Sequence, residues 1–269
     1  MASDRASSPI GLFDSGVGGL SVLLAVRREL PHEDLIYFAD QKYCPYGPRP
    51  ADEIRELSRR IVRFLLTEGC KAVIVACNTA SAAALKDLRA TWPEIPFIGM
   101  EPAVKPAAGS TRTGKVGVFA TKGTLEGELF QQTRDRHARE VEVLIAYPPD
   151  WVERVERGDI DSPETEESVR RSLQPFLDAG VDEIALGCTH YPFLTPLIRQ
   201  VSGDGVQVLD PSQAVARQTA RVLAERRLLH PQHLEGTRRY FTSGNAAAFA
   251  LLLARLVGER ASASHAEPA

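Results

Sequence analysis

The chain has 269 residues, 43% hydrophobic and 25% charged, an average globular composition with apolar mass for one large or two smaller domains. No run approaches the roughly 18 apolar residues of a membrane span, and the start, MASDRASSPI, lacks the apolar core of a secretory signal, so a cytoplasmic location is expected. A formal net charge of -3, with arginines scattered or interleaved with glutamates as in EIRELSRR, gives no general attraction to nucleic acid or membrane.

Residues 9–13 read as a first strand, DSGVGGL (14–20) as a glycine loop opening a helix, and residues 35–39 as a second strand. Residues 40–48 hold too many prolines and glycines for regular structure, and 51–68 carry a helical stripe closed by Gly69. Strand and helix then alternate: strands at 72–76, 96–99, 115–119, 141–146, 183–186, 206–209 and 239–241. Helices are expected at 79–91, 102–108, near 123–136, 163–179, near 193–200, 212–226 and 246–257. Near-continuous apolar strands spaced by helices predict an α/β fold with mostly parallel sheets covered on both faces. Residues 258–269, rich in Ser, Ala and Glu, are expected to be a disordered tail.

Two of the four cysteines stand where strands end. VIVACNTASAAA (73–84) stops at Cys77-Asn78-Thr79 and IALGCTHYPFL (184–194) at Cys188-Thr189-His190, each before a helical pattern. Gly69 precedes Cys77 by the same eight residues that separate Gly180 from Cys188, a faint internal repeat. Ligands of open α/β sheets bind at such strand ends, and a thiol near a helix N-terminus is expected to have a lowered pKa. Cys70 reads as core filler and Cys44 as a passenger in its loop. DSGVGGL is neither GxGxxG nor a Walker loop and reads as a turn. His190 has no further metal ligand at close spacing, which favours orienting or acid–base work over zinc. A hydrolase with one nucleophilic cysteine has no use for a second matched thiol, whereas inverting a stereocentre does: one thiolate removes an α-proton and a thiol opposite returns one. No lysine has a recognisable pyridoxal phosphate setting, so a cofactor-free route is expected.

With these residues the chain resembles the bacterial glutamate racemases of the aspartate/glutamate racemase superfamily over residues 10–257. The blocks are FDSGVGGL (13–20), CPYGPR (44–49), ACNTAS (76–81), VFATKGT (118–124), LGCTHYPFL (186–194) and LDPSQAVA (209–216). The resemblance implies two pseudo-symmetric α/β domains, residues 1–102 with 212–269 and residues 103–211, with the active site in the cleft between them. It implies cofactor-independent, metal-free interconversion of L- and D-glutamate, supplying D-glutamate for peptidoglycan, with a homodimer as one assembly. Cys77 would deprotonate D-glutamate assisted by Asp14, and Cys188 would deprotonate L-glutamate assisted by His190 with Glu156 in support. Asp14, Ser15, Tyr46, Gly47, Asn78, Thr79, Thr121, Thr124, Thr189 and His190 would hold the substrate. Gln41-Lys42-Tyr43 and Asp150-Trp151 depart from the usual pattern. Alternatives are a racemase for aspartate or another amino acid, and a non-catalytic module binding an acidic ligand.

Overall fold

The computed structural model describes residues 5–138, 140–232 and 234–269. Strands β1 (Ile10–Asp14), β2 (Leu35–Ala39), β3 (Ala72–Val75) and β4 (Phe97–Gly99) come first. They are followed by β5 (Lys115–Ala120), β6 (Glu142–Ala146), β7 (Glu183–Gly187), β8 (Gln207–Leu209), β9 (Arg238–Thr242) and β10 (Ser264–His265). The order β10-β9-β2-β1-β3-β4 builds one sheet from both ends of the chain, and β6-β5-β7-β8 builds a second from its middle. Every strand pairing in both sheets is parallel. The expected α/β architecture is therefore the observed one.

Helices α1 (Leu20–Glu29), α2 (Ala51–Thr67), α3 (Asn78–Thr91) and α4 (Val104–Ser110) follow β1 to β4 in turn. The middle of the chain adds α5 (Lys122–Leu125), α6 (Glu128–His137), α7 (Trp151–Glu156), α8 (Pro163–Asp178) and α9 (Thr195–Ser202), and the last part α10 (Ser212–Glu225) and α11 (Ala246–Val257). Because helices cover the sheets, β1, β2, β3 and β7 are buried at every position. The edge strands β6 and β8 are partly exposed and carry charged or amide residues.

One helix expected near residues 123–136 is two, α5 and α6, separated at Gly127. Helix α7 did not emerge from periodicity, since its 6 residues span fewer than two turns. It is fixed by packing instead. Trp151, at its start, is fully buried, with its ring 5.1 Å from that of Phe119 and 5.0 Å from that of Tyr191. Asp150 accepts bonds from Ser168 Oγ (2.6 Å) and Arg154 Nε (2.7 Å), which explains why a charged residue precedes the tryptophan. Removing such an indole costs about 3–5 kcal/mol. The apolar core runs through both sheets: Tyr37 and Ala76 share one cluster with Phe119, Trp151 and Leu186.

The tail differs from expectation. Residues 258–269 are not disordered: β10 pairs with β9, Lys42 Nζ meets Glu267 Oε1 at 2.8 Å, and Arg63 Nη1 donates to the Ala269 carbonyl at 3.1 Å. Composition alone ignores that β9 would otherwise leave an unpaired strand edge for the tail to cover.

Candidate active site

Cys77 ends the β3 segment and caps α3, accepting the Ala80 N–H on its sulfur at 3.4 Å. Its Sγ stands 3.9 Å from Ser15 Oγ at the end of β1. The expected lowering of its pKa does not occur. Burial, aided by the negative charge of Asp14, pushes the thiol up to about 12, and the Ala80 and Ser15 bonds only partly offset this. Cys188 follows β7 and meets His190 Nδ1 at 3.7 Å. Cys77 and Cys188 line one small cavity, with Ser15, Tyr46, Gly47, Asn78, Thr79, Thr121, Thr189 and His190. Pro45 and Val152, which the sequence did not single out, complete the wall.

Behind Cys188 lies a relay of polar groups. His190 Nε2 is 2.6 Å from Glu156 Oε1, which also accepts the Val17 N–H at 2.7 Å. Gln41 Nε2 donates to Glu156 Oε2 at 3.1 Å. Burial opposes a charge on either partner, yet the bonds to Glu156 outweigh it there, and the Cys188 and Cys44 sulfurs together with Glu156 outweigh it at His190. The Glu156 carboxyl stays below its ordinary pKa and the His190 ring is held well above its own.

Asp14 is fully buried at the end of β1. Its Oδ1 accepts the Gly16 N–H and its Oδ2 the Thr189 hydroxyl, both at 2.8 Å, so the carboxylate ties β1 of one sheet to the turn after β7 of the other. Burial raises its pKa to about 6 against the opposing pull of His190 and these two bonds. Its hydrogen bonds go to Gly16, Thr189 and Ser15, and its effect on Cys77 is electrostatic.

The remaining expected residues gather around the same cavity. The hydroxyls of Thr79, Thr121 and Thr124 form a triangle with separations of 2.9, 2.9 and 3.4 Å. Both polar atoms of the Asn78 amide are buried without a protein partner, a costly arrangement unless a polar ligand meets them. Tyr46 presents its ring, because its hydroxyl donates to Asp40 Oδ2 at 2.5 Å. Gly47 packs on Thr121, whose Cβ would lie 3.3 Å from any Cβ added there.

The glycine loop, read from sequence as a turn, is a seat for the second sheet's side chains. A Cβ on Gly16 would fall 1.9 Å from Glu156 Oε1, and one on Gly18 would fall 2.4 Å from His190 Nδ1. Cys44, read as a passenger, is also part of this neighbourhood. Its sulfur, a nitrogen of His190 and a carboxylate oxygen of Glu156 lie within 4.8 Å of one another, a set chemically suited to zinc. Beyond Cys188 no ligand stands near His190 along the chain, but Cys44 and Glu156 stand near it in space. Burial pushes the Cys44 thiol up to about 12, and the other two groups already bond each other. No sequence signal pairs Cys44 with His190, because their proximity depends on how the two sheets meet.

Paired thiols at the strand ends of two parallel sheets, with a carboxylate and a histidine beside them, form a site able to move protons on and off a small polar molecule. The sequence profile of the Asp/Glu/Hydantoin racemase family matches residues 21–219. A glutamate racemase of Roseiflexus sp. (strain RS-1) is 50% identical over 255 residues, covering 94% of each chain. Solved glutamate racemase structures are also similar: that of Bacillus anthracis has a TM-score of 0.84 at 32% identity, covering 96% of both chains. That of Escherichia coli, in complex with L-glutamate and the activator UDP-MurNAc-Ala, has a TM-score of 0.82 at 31% identity, covering 96% of this chain and 97% of the other. The chain belongs to the Asp/Glu/Hydantoin racemase family and, within it, to the glutamate racemases.

Proposed function

We propose that this protein interconverts L- and D-glutamate by a two-base mechanism in which Cys188 and Cys77 act on opposite faces of the α-carbon. The observation that carries this reading is that both thiols line one small cavity from strand ends of different sheets. The E. coli complex with L-glutamate supports the choice of substrate. Among the described residues lining the cavity there is no lysine, which favours a route without a Schiff base.

In the L-to-D direction the Cys188 thiolate takes the α-proton, the electron pair left on Cα delocalises into the carboxylate, and the Cys77 thiol returns a proton from the other side. Turnover leaves Cys188 protonated and Cys77 ionised, the form that acts on D-glutamate. A Cys77 thiol pushed up to about 12 is protonated at rest, as the last step requires. The substrate's ammonium group, brought beside Cys77 and Asp14, offsets the negative charge that otherwise keeps this thiol from ionising. Asn78 and the threonine hydroxyls are the donors proposed to hold the carboxylate on which charge develops.

The two sheets are proposed to mark two domains, residues 1–102 with 212–269 and residues 103–211, whose closure excludes water from the site. The D-glutamate formed is proposed to supply peptidoglycan synthesis in the cytoplasm. Among the described residues no helix is long and apolar enough to cross a membrane.

Incubating the protein with L-glutamate in D2O tests the reading: circular dichroism of the amino acid should decay to zero with incorporation of α-deuterium. A folded protein that leaves the signal unchanged overturns it. Cys77→Ser and Cys188→Ser should each abolish racemization, and near wild-type activity in either would refute the two-base assignment.

A further inference from the structure

We propose that Gln41 is a positioning residue that locks the Glu156 carboxylate in the orientation needed to hold His190 against Cys188. Glu156 Oε1 already carries two bonds, from His190 Nε2 at 2.6 Å and the Val17 N–H at 2.7 Å. Its other oxygen is held by the Gln41 amide at 3.1 Å. Without that bond the carboxylate can rotate about its last torsion and release the ring.

The orientation of the amide is itself fixed. The Gly244 N–H donates to Thr242 Oγ1 at 3.0 Å, which leaves the Thr242 hydroxyl proton to reach Gln41 Oε1 at 3.0 Å. With its oxygen so occupied, Gln41 must turn Nε2 toward Glu156. Gly244 leaves room for this, since a Cβ there would sit 3.0 Å from Gln41 Cβ. A directed chain of hydrogen bonds thus runs from the end of β9, in one sheet, through Thr242, Gln41 and Glu156 to the histidine after β7 in the other. The titratable groups around Glu156 are His190, bonded to it at 2.6 Å, and Cys44, within 4.8 Å, with Asp14 and Tyr37 beyond them. Gln41 is the neutral donor among them, so it orients the carboxylate without changing the charge of the site.

The inference rests on the two-base reading, in which both directions of reaction use Cys188 once. The enantiomers have equal free energy, so every variant must keep equal kcat/KM in the two directions. Damage on the Cys188 side appears instead in isotope effects. Slower proton transfer at Cys188 makes deprotonation of L-glutamate more rate-limiting and that of D-glutamate less so.

The experiment compares wild type with Gln41→Ala and Gln41→Glu, the latter keeping the shape while removing the donor. Both variants should lose about 10-fold in kcat/KM, as expected for a group that orients a functional side chain from behind. The primary isotope effect with α-deuterated L-glutamate should rise and that with α-deuterated D-glutamate should fall. The acid limb of the pH profile should move upward, further in Gln41→Glu, because Glu156 loses a bond to its charged form and there faces a like charge. If both variants keep the wild-type isotope effects and pH limb, the inference is overturned whatever happens to melting temperature. A wild-type protein that does not racemize glutamate overturns the reading beneath it, and the two failures are thereby distinct.

Discussion

Glu156 Oε1 stands 2.6 Å from His190 Nε2, and the other nitrogen of the same ring stands 3.7 Å from the Cys188 sulfur. The carboxylate comes from a short helix and the thiol from a strand end, and the imidazole joins them. Glu156→Gln removes the charge that helps hold the ring well above its ordinary pKa. Racemization should fall by about 10- to 100-fold, with the isotope effect rising for α-deuterated L-glutamate and falling for the D form. Equal changes in the two isotope effects would place the role of Glu156 elsewhere.

Asp14 connects stability to function with a definite sign. Its pKa is about 6 in the folded protein against 3.8 in an exposed chain, so between these pH values the folded state binds more protons than the unfolded one. Stability therefore declines as pH rises through that window, by up to about 3 kcal/mol, and the cost is complete above pH 6. Asp14→Asn avoids it. Its melting temperature should exceed wild type at pH 7.5 by several degrees, converge with it at pH 4, and come with loss of racemization. A lower melting temperature at pH 7.5 would count against the argument.

Gly16→Ala places a methyl where Glu156 Oε1 now sits, 1.9 Å from the new carbon. The carboxylate must withdraw from Val17 and His190. Activity should drop at least as far as in Glu156→Gln, and circular dichroism of the protein should show the fold intact. An active Gly16→Ala variant would mean that the glycine loop is not the seat of this carboxylate.

The Cys44, Glu156 and His190 cluster invites a test with metals. Ligand atoms on a tetrahedral zinc ion lie roughly 3.3–3.8 Å apart, given metal–ligand distances of about 2.0–2.3 Å, whereas Glu156 and His190 are 2.6 Å apart and bonded to each other. Racemization should survive extended dialysis against EDTA without loss. Activity lost to EDTA and restored by zinc would show that the pair opens to hold a metal.

Much of this was legible in the chain alone. Continuous apolar strands alternating with helices marked the fold, because strands buried on both faces cannot alternate polar and apolar residues. The placement of Cys77 and Cys188 at strand ends was equally local, since each follows its strand directly. The close approaches were not legible. Gln41, Cys44 and the second role of the glycine loop depend on contacts between residues more than 100 positions apart, as in the pair Gln41 and Glu156.

Periodicity and nearest neighbours are enough to specify the parallel α/β fold, the paired thiols and the polar residues beside them. Long-range packing set the rest. It set the strand order that brings β1 and β7 to one cavity, ordered the tail along β9, and seated Glu156 on Gly16. It also reversed the expected direction of the Cys77 pKa, because a helix terminus acts within one turn while burial and a neighbouring carboxylate depend on everything that surrounds the sulfur.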